Sequence, residues 1–118
     1  AMTFNLLLLN EFPDEVADRA GGRRHLVIML GRQAAGWIYI AAAALVVVLL
    51  LVSIGWRFLP WSAGVALGPS LFLIPAARWI ICGSEQPVPT KVLGLNVAWN
   101  LATNGLLTMA LAVHAGAD

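Results

Sequence analysis

Asp14 and Asp18 stand four residues apart in the stretch NEFPDEVADRAGGRR, residues 10–24. Asn10 lies four residues before them, and Arg19, Arg23 and Arg24 follow directly. On a helix, positions four apart share a face. Like charges so placed repel by roughly 0.2–0.5 kcal/mol, and the pairing makes sense where a cation offsets that repulsion. Oxygen-only donors suit a hard ion. Mg²⁺ in particular takes one or two carboxylates together with waters and substrate phosphates. Arginines supply forked donors to phosphate oxygens. The chemistry these residue types could assemble is a diphosphate site.

The same residues also fit a plainer reading. They could form a solvated helix turn at a membrane surface, with Arg23 and Arg24 acting only as topology markers. Pro13 bears on the register. It lacks the N–H that would bond the Leu9 carbonyl, so a helix here must kink or begin. As a first helical residue it leaves Asp14 and Asp18 aligned and puts Asn10 before the break. Glu15 points about 100° away from Asp14 on a helix and is expected to contribute little.

The elements that must position this segment are apolar. Sixty percent of the 118 residues are hydrophobic, 11% are charged, and the mean hydropathy is +0.84. A soluble domain carries about 25% charged residues. Such a chain lacks the polar surface to cover itself in water, so the expected class is an all-α integral membrane protein. Eight of the thirteen charged side chains lie between Glu11 and Arg32. The net charge of +1 and the absence of a basic run give no sign of a nucleic-acid partner. Cys82 is the only cysteine, which rules out an intrachain disulfide. It reads as a small apolar filler near a helix end. The first residues lack a basic region and a small-residue cleavage site, unlike a signal peptide.

A spanning helix needs about 20 apolar residues. Three segments meet that length, at 34–55, 61–82 and 92–114, preceded by a shorter helix ending near residue 20. The turns between spans fall at RFLP and at GSEQPVPTK. Residues 1–118 thus read as one membrane domain, with a helix end and charged loop over 1–33 and three transmembrane spans over 34–118. Gly68, Pro69 and Pro75 interrupt the second span, either as a packing kink or as a bend in a cavity wall. Arg19, Arg23, Arg24, Arg32, Arg78 and Lys91 fall on one side of this arrangement, and only Arg57 on the other. The charged loop is therefore expected to face the cytoplasm.

LLLLNEFPDEVADRAGGRRHLVIMLGRQAA resembles the second aspartate-rich motif of the UbiA superfamily of intramembrane prenyltransferases. It is most similar to the branch that prenylates 1,4-dihydroxy-2-naphthoate. That branch shows N-x-x-x-D-x-x-x-D-R, a G-K-R-T-like turn, and L-x-x-x-L-G. The matching residues here are Asn10, Asp14, Asp18 and Arg19; Gly22, Arg23 and Arg24; and Leu26, Leu30 and Gly31. Arg23 stands where lysine is usual, and His25 where threonine is usual.

The resemblance implies transfer of a prenyl chain from an Mg²⁺-bound isoprenyl diphosphate to an aromatic acceptor, with Asp14 and Asp18 as metal ligands assisted by Asn10, and Arg19, Arg23 and Arg24 as the phosphate contacts. It places the motif at the cytosolic end of the sixth of nine helices, and the three later spans as the last three. Family members carry a first aspartate-rich motif that this sequence lacks. The chain therefore looks like a C-terminal half, expected to be inactive without a chain or segment supplying the first motif. The alternative is a non-catalytic small membrane protein that uses the charged turn to bind a partner or anionic headgroups.

The third span carries Asn96, Asn100 and Asn104 four residues apart, with Thr103 and Thr108 nearby. Amides inside a membrane face protein or a wet cavity. The stripe is therefore either interhelical hydrogen bonding or a cavity lining, and in both cases it calls for a partner. Trp37, Tyr39, Trp56, Trp61 and Trp79 read as interfacial anchors, and Trp99 as interior. His25 is expected at the surface, and His114 has no assigned role.

Overall fold

The computed structural model describes residues 1–83 and 85–117. Ser84, in the second predicted turn, and Asp118, at the end of the predicted domain, lie outside the described residues. All regular structure among the described residues is helical: α1 (Met2–Ala20), α2 (Leu26–Leu30), α3 (Arg32–Gly55), a 3₁₀ segment (Trp61–Leu73) continuing into α4 (Ile74–Gly83), and α5 (Thr90–Ala115).

Two helices, Arg32–Gly55 and Trp61–Gly83, are long and apolar enough to cross a membrane. Only 28% and 33% of their most apolar windows lie buried, so most of that apolar surface faces outward. α5 has the length, at 26 residues, but its amides and threonines dilute its apolar character. The bundle measures 56 × 24 × 23 Å.

Each element buries the stripe that its period dictates. On α1 this is Asn5, Leu8, Leu9 and Phe12, the i, i+3, i+4, i+7 pattern of one helix face. On α3 it runs through Ala35, Tyr39, Ala43, Val46, Leu50 and Ile54. On α5 it is Val92, Asn96, Trp99, Thr103 and Ala110, spaced by fours, threes and a seven. The 3₁₀ segment buries Ala63, Ala66 and Pro69, three residues apart. That spacing matches its own winding, because side chains at i and i+3 eclipse at three residues per turn. Small side chains there let α5 approach closely. Pro69 lies on this buried line and lacks the N–H an α-helix would use.

α3 meets α4 at Gly36, where a Cβ would come within 2.6 Å of Ile80 Cγ2. A hydrogen-bonded ring joins α1, α3 and α5. Asn5 Nδ2 donates to the Tyr39 carbonyl (3.1 Å), Tyr39 Oη–H to Asn96 Oδ1 (2.8 Å), and Asn96 Nδ2 to the Asn5 carbonyl (3.4 Å).

Several sequence expectations change. α1 runs through Pro13 without a break; the proline sits on the exposed side, where its ring displaces no packed neighbour. Tyr39 and Trp79 are buried rather than interfacial. Tyr39 is held by the amide ring, and Trp79 by an edge contact with Phe12 (5.1 Å between centroids). Trp37, Trp56 and Trp61 are exposed and Trp99 is fully buried. Cys82 is exposed rather than packed.

Candidate functional site

The charged segment is shaped by the end of α1. Gly22 takes a left-handed backbone (φ 74°) that glycine adopts without a steric penalty. Its N–H donates to the Arg19 carbonyl (3.3 Å), and the Arg23 N–H donates to the Asp18 carbonyl (2.9 Å). These two bonds are the Schellman closure of a helix C-terminus. The closure folds the chain back so that Arg23 Nη1 lies 3.5 Å from Asp18 Oδ1. Gly31, also left-handed at φ 85°, makes the second turn, between α2 and α3.

α1 presents its polar side chains on two faces. Asn10 and Asp14 are exposed, and Asp18 at the edge is half-buried. Asp18 is approached by Arg23 and by His25 Nε2, both at 3.5 Å. Neither contact has the geometry of a well-formed hydrogen bond. Arg19, Arg23 and Arg24 are all exposed. Arg19 turns back to Glu15 Oε1 at 3.0 Å.

The other face is closed by residues that the motif does not include. Glu15 Oε2 accepts from Arg32 Nη1 at 2.8 Å. Arg32 Nη2 donates to the Gln86 carbonyl at 3.0 Å, and the guanidinium lies over the Phe12 and Trp79 rings at 5.3 and 5.9 Å. One side chain thus ties α1 and α3 to the loop before α5. Arg32's hydrogen bond holds the Glu15 carboxyl below its ordinary value of 4.5; desolvation opposes this, and Arg19 adds to it. His25, expected at the surface, has a side chain only 11% exposed, with Nδ1 3.3 Å from Glu11 Oε2. It sits between Glu11 and Asp18 because α2 folds the chain back against α1.

The buried stripe contained the signal for the closed face. Three residues beyond Phe12 is Glu15, so extending the apolar periodicity turns that carboxylate inward. Glu15, expected to be idle, is among the most firmly held side chains of the segment.

The asparagine stripe divides. Asn96 is buried in the amide ring, Asn100 is half-buried and Asn104 is exposed. Asn104 Nδ2 donates to the Asn100 carbonyl and Oδ1 (2.9 and 3.1 Å), and Thr108 donates to the Asn104 carbonyl (2.8 Å). The lower part of the stripe is interhelical hydrogen bonding, and the upper part is left on the outside of the bundle.

The donor set fits a hard cation. Asn10 and Asp14 are open to a ligand, Asp18 is only loosely engaged, and all three offer oxygen. Among the described residues no three His, Cys, Asp or Glu side chains converge at metal-ligand spacing. The set offers two carboxylates and an amide, to be completed by phosphate oxygens and water. Compared with known protein families, curated proteins and solved structures, the chain matches none.

Proposed function

We propose that this chain is the C-terminal half of an intramembrane prenyltransferase, moving an isoprenyl group from its diphosphate to an aromatic acceptor. The observation that carries the reading is the turn at Gly22. It sets Arg23 beside the half-buried Asp18, at the end of a helix whose exposed edge carries Asn10 and Asp14, on an otherwise apolar bundle. The reading takes 34–55, 61–82 and 92–114 as three membrane spans, with α5 as the third, and puts the charged turn on the cytoplasmic side.

Asp14, Asp18 and Asn10 would hold Mg²⁺, which when bound supplies positive charge to the leaving diphosphate. Arg19, Arg23 and Arg24, all solvent-facing, donate to phosphate oxygens and stabilise the negative charge that develops there. To do so Arg19 exchanges Glu15 for phosphate, and Arg23 exchanges Asp18. In both pairs the arginine end is exposed to solvent, and Glu15 keeps Arg32 when Arg19 leaves, so the exchange costs little. The apolar helices keep water from the reacting carbon.

A first aspartate-rich motif is to come from another chain or segment, so the test is complementation. The purified chain alone should show little or no Mg²⁺-dependent prenyl transfer. Co-expression with a chain carrying a first motif should restore it. Robust turnover by the chain alone would contradict the half-enzyme reading, unless two copies build a site together.

A second reading rests on the loose clasp of Asp18 by Arg23 and His25. If that clasp is the segment's whole purpose, the protein is a non-catalytic membrane subunit with a charged docking turn. Complementation would then fail, while the chain would still co-purify with a partner.

A further inference from the structure

The far end of the bundle holds an open surface cavity of about 470 Å³. It is lined by Arg57, Phe58, Pro60, Trp61, Leu111 and His114, among others. Among the described residues, Arg57 is the sole lysine or arginine at this end. It has no carboxylate partner among the described residues. Its backbone is left-handed at φ 61°, the one non-glycine residue so placed among those described. An arginine in that conformation is strained where glycine would not be, and such strain concentrates at binding positions. The turn is held by Arg57 N–H to the Ile54 carbonyl (3.1 Å) and Leu59 N–H to the Ser53 carbonyl (3.0 Å).

Two further features suit an anion. The cavity borders the start of the helix Trp61–Gly83, where the Trp61 and Ser62 N–H groups have no backbone acceptor among the described residues. Trp56, Phe58 and Trp61 are all strongly exposed around Arg57, the aromatic composition of a membrane–water boundary. Leu111 supplies an apolar wall.

We propose that this cavity binds a phosphate group, with Arg57 as the forked donor and His114 and the free amides beside it. The phosphate is carried by an anionic phospholipid or by a free phosphate ion. The site lies at the end opposite the aspartate-rich turn and does not depend on that turn's chemistry.

Native mass spectrometry of the purified full chain in detergent tests it, with phosphatidylglycerol, phosphatidylcholine and inorganic phosphate as probes. Phosphatidylglycerol should bind in preference to phosphatidylcholine. Arg57→Gly relaxes the strained backbone, so it should fold, and should weaken the tightest phosphatidylglycerol about tenfold, the loss of one charged contact. Arg57→Lys keeps charge without the fork and should fall between. Lys91→Gln, at the other end, should leave this binding unchanged. Displacement of the lipid by millimolar inorganic phosphate, in wild type but not in Arg57→Gly, would assign the site to the free ion. Lack of displacement would assign it to the lipid. Equal affinity for the two lipids, or an Arg57→Gly chain that binds phosphatidylglycerol as the wild type does, overturns the proposal. Loss of thermal stability in Arg57→Gly without a change in lipid binding would instead make Arg57 a cap for the α5 C-terminus.

Discussion

Asp14 and Glu15 are adjacent carboxylates on one helix, and their surroundings differ in kind. Glu15 is held by Arg32 at 2.8 Å and by Arg19 at 3.0 Å. Asp14 faces outward with no partner among the described residues. Asp18 lies between these conditions, half-buried and touched at 3.5 Å from two sides. Acidity alone therefore does not mark a ligand. A turn of helix can spend one carboxylate on holding the fold and leave its neighbour for something else, and the face decides which.

The largest expected effect would break this comparison at its ambiguous member. In the reconstituted enzyme, Asp18→Ala should lower prenyl transfer by about 10²–10³, and Asp18→Asn nearly as much, since it keeps the shape and loses the charge. Rates measured across an Mg²⁺ titration decide it. Full activity in Asp18→Asn would assign Asp18 to the closed face and end the metal reading.

Next in size is the anchor of the closed face. Arg32→Met should destabilise the chain by about 1–3 kcal/mol, read by denaturant unfolding in detergent. It leaves Glu15 Oε2 and the Gln86 carbonyl without their donor, while Arg19 still reaches Glu15 Oε1. An unchanged midpoint would mean that α1 is held by its apolar stripe alone.

Glu15→Gln should cost less, about 0.2–1 kcal/mol, and its effect should depend on pH. The Glu15 carboxyl is held below 4.5 in the folded chain. Its contribution is therefore full above that value and disappears as pH falls through the lower, folded one. The gap between wild type and variant should close in acid. A gap that widened in acid would contradict the pairing with Arg32.

The smallest effect sharpens the contrast from the open side. Asp14→Asn should leave stability within about 0.5 kcal/mol of wild type, because it removes no contact. Its consequence should appear only in the Mg²⁺ dependence of the reconstituted enzyme.

Much of the helical layout was legible because it is local. Charge density and apolar length marked where the long helices lie, to within two residues at each end. The short first helix, expected to end near residue 20, ends at Ala20. The partners were not legible, because they are set across the bundle. Arg32 reaches Glu15 and Gln86 from another helix, and nothing in NEFPDEVADR announces it. Tyr39 and Trp79 read as interfacial because their sequence neighbours are span ends, yet α1 lies across that end and covers them. The division of the asparagine stripe was equally hidden, since it depends on how far α1 runs alongside α5. Gly68, Pro69 and Pro75 marked an interruption of the second span, but its form as 3₁₀ winding, with Ala63, Ala66 and Pro69 turned inward, emerges only once α5 is seen lying against it.

Gly36 and Ile80 meet so closely that neither position is free to vary alone. A methyl at 36 would have to occupy the space of Ile80 Cγ2. In a genetic screen the pair should behave as a lock. Gly36→Ala should be deleterious by itself, and Ile80→Ala should be recoverable as its second-site suppressor. The permitted sequences of α3 and α4 are thereby linked across 44 positions of chain by one missing carbon.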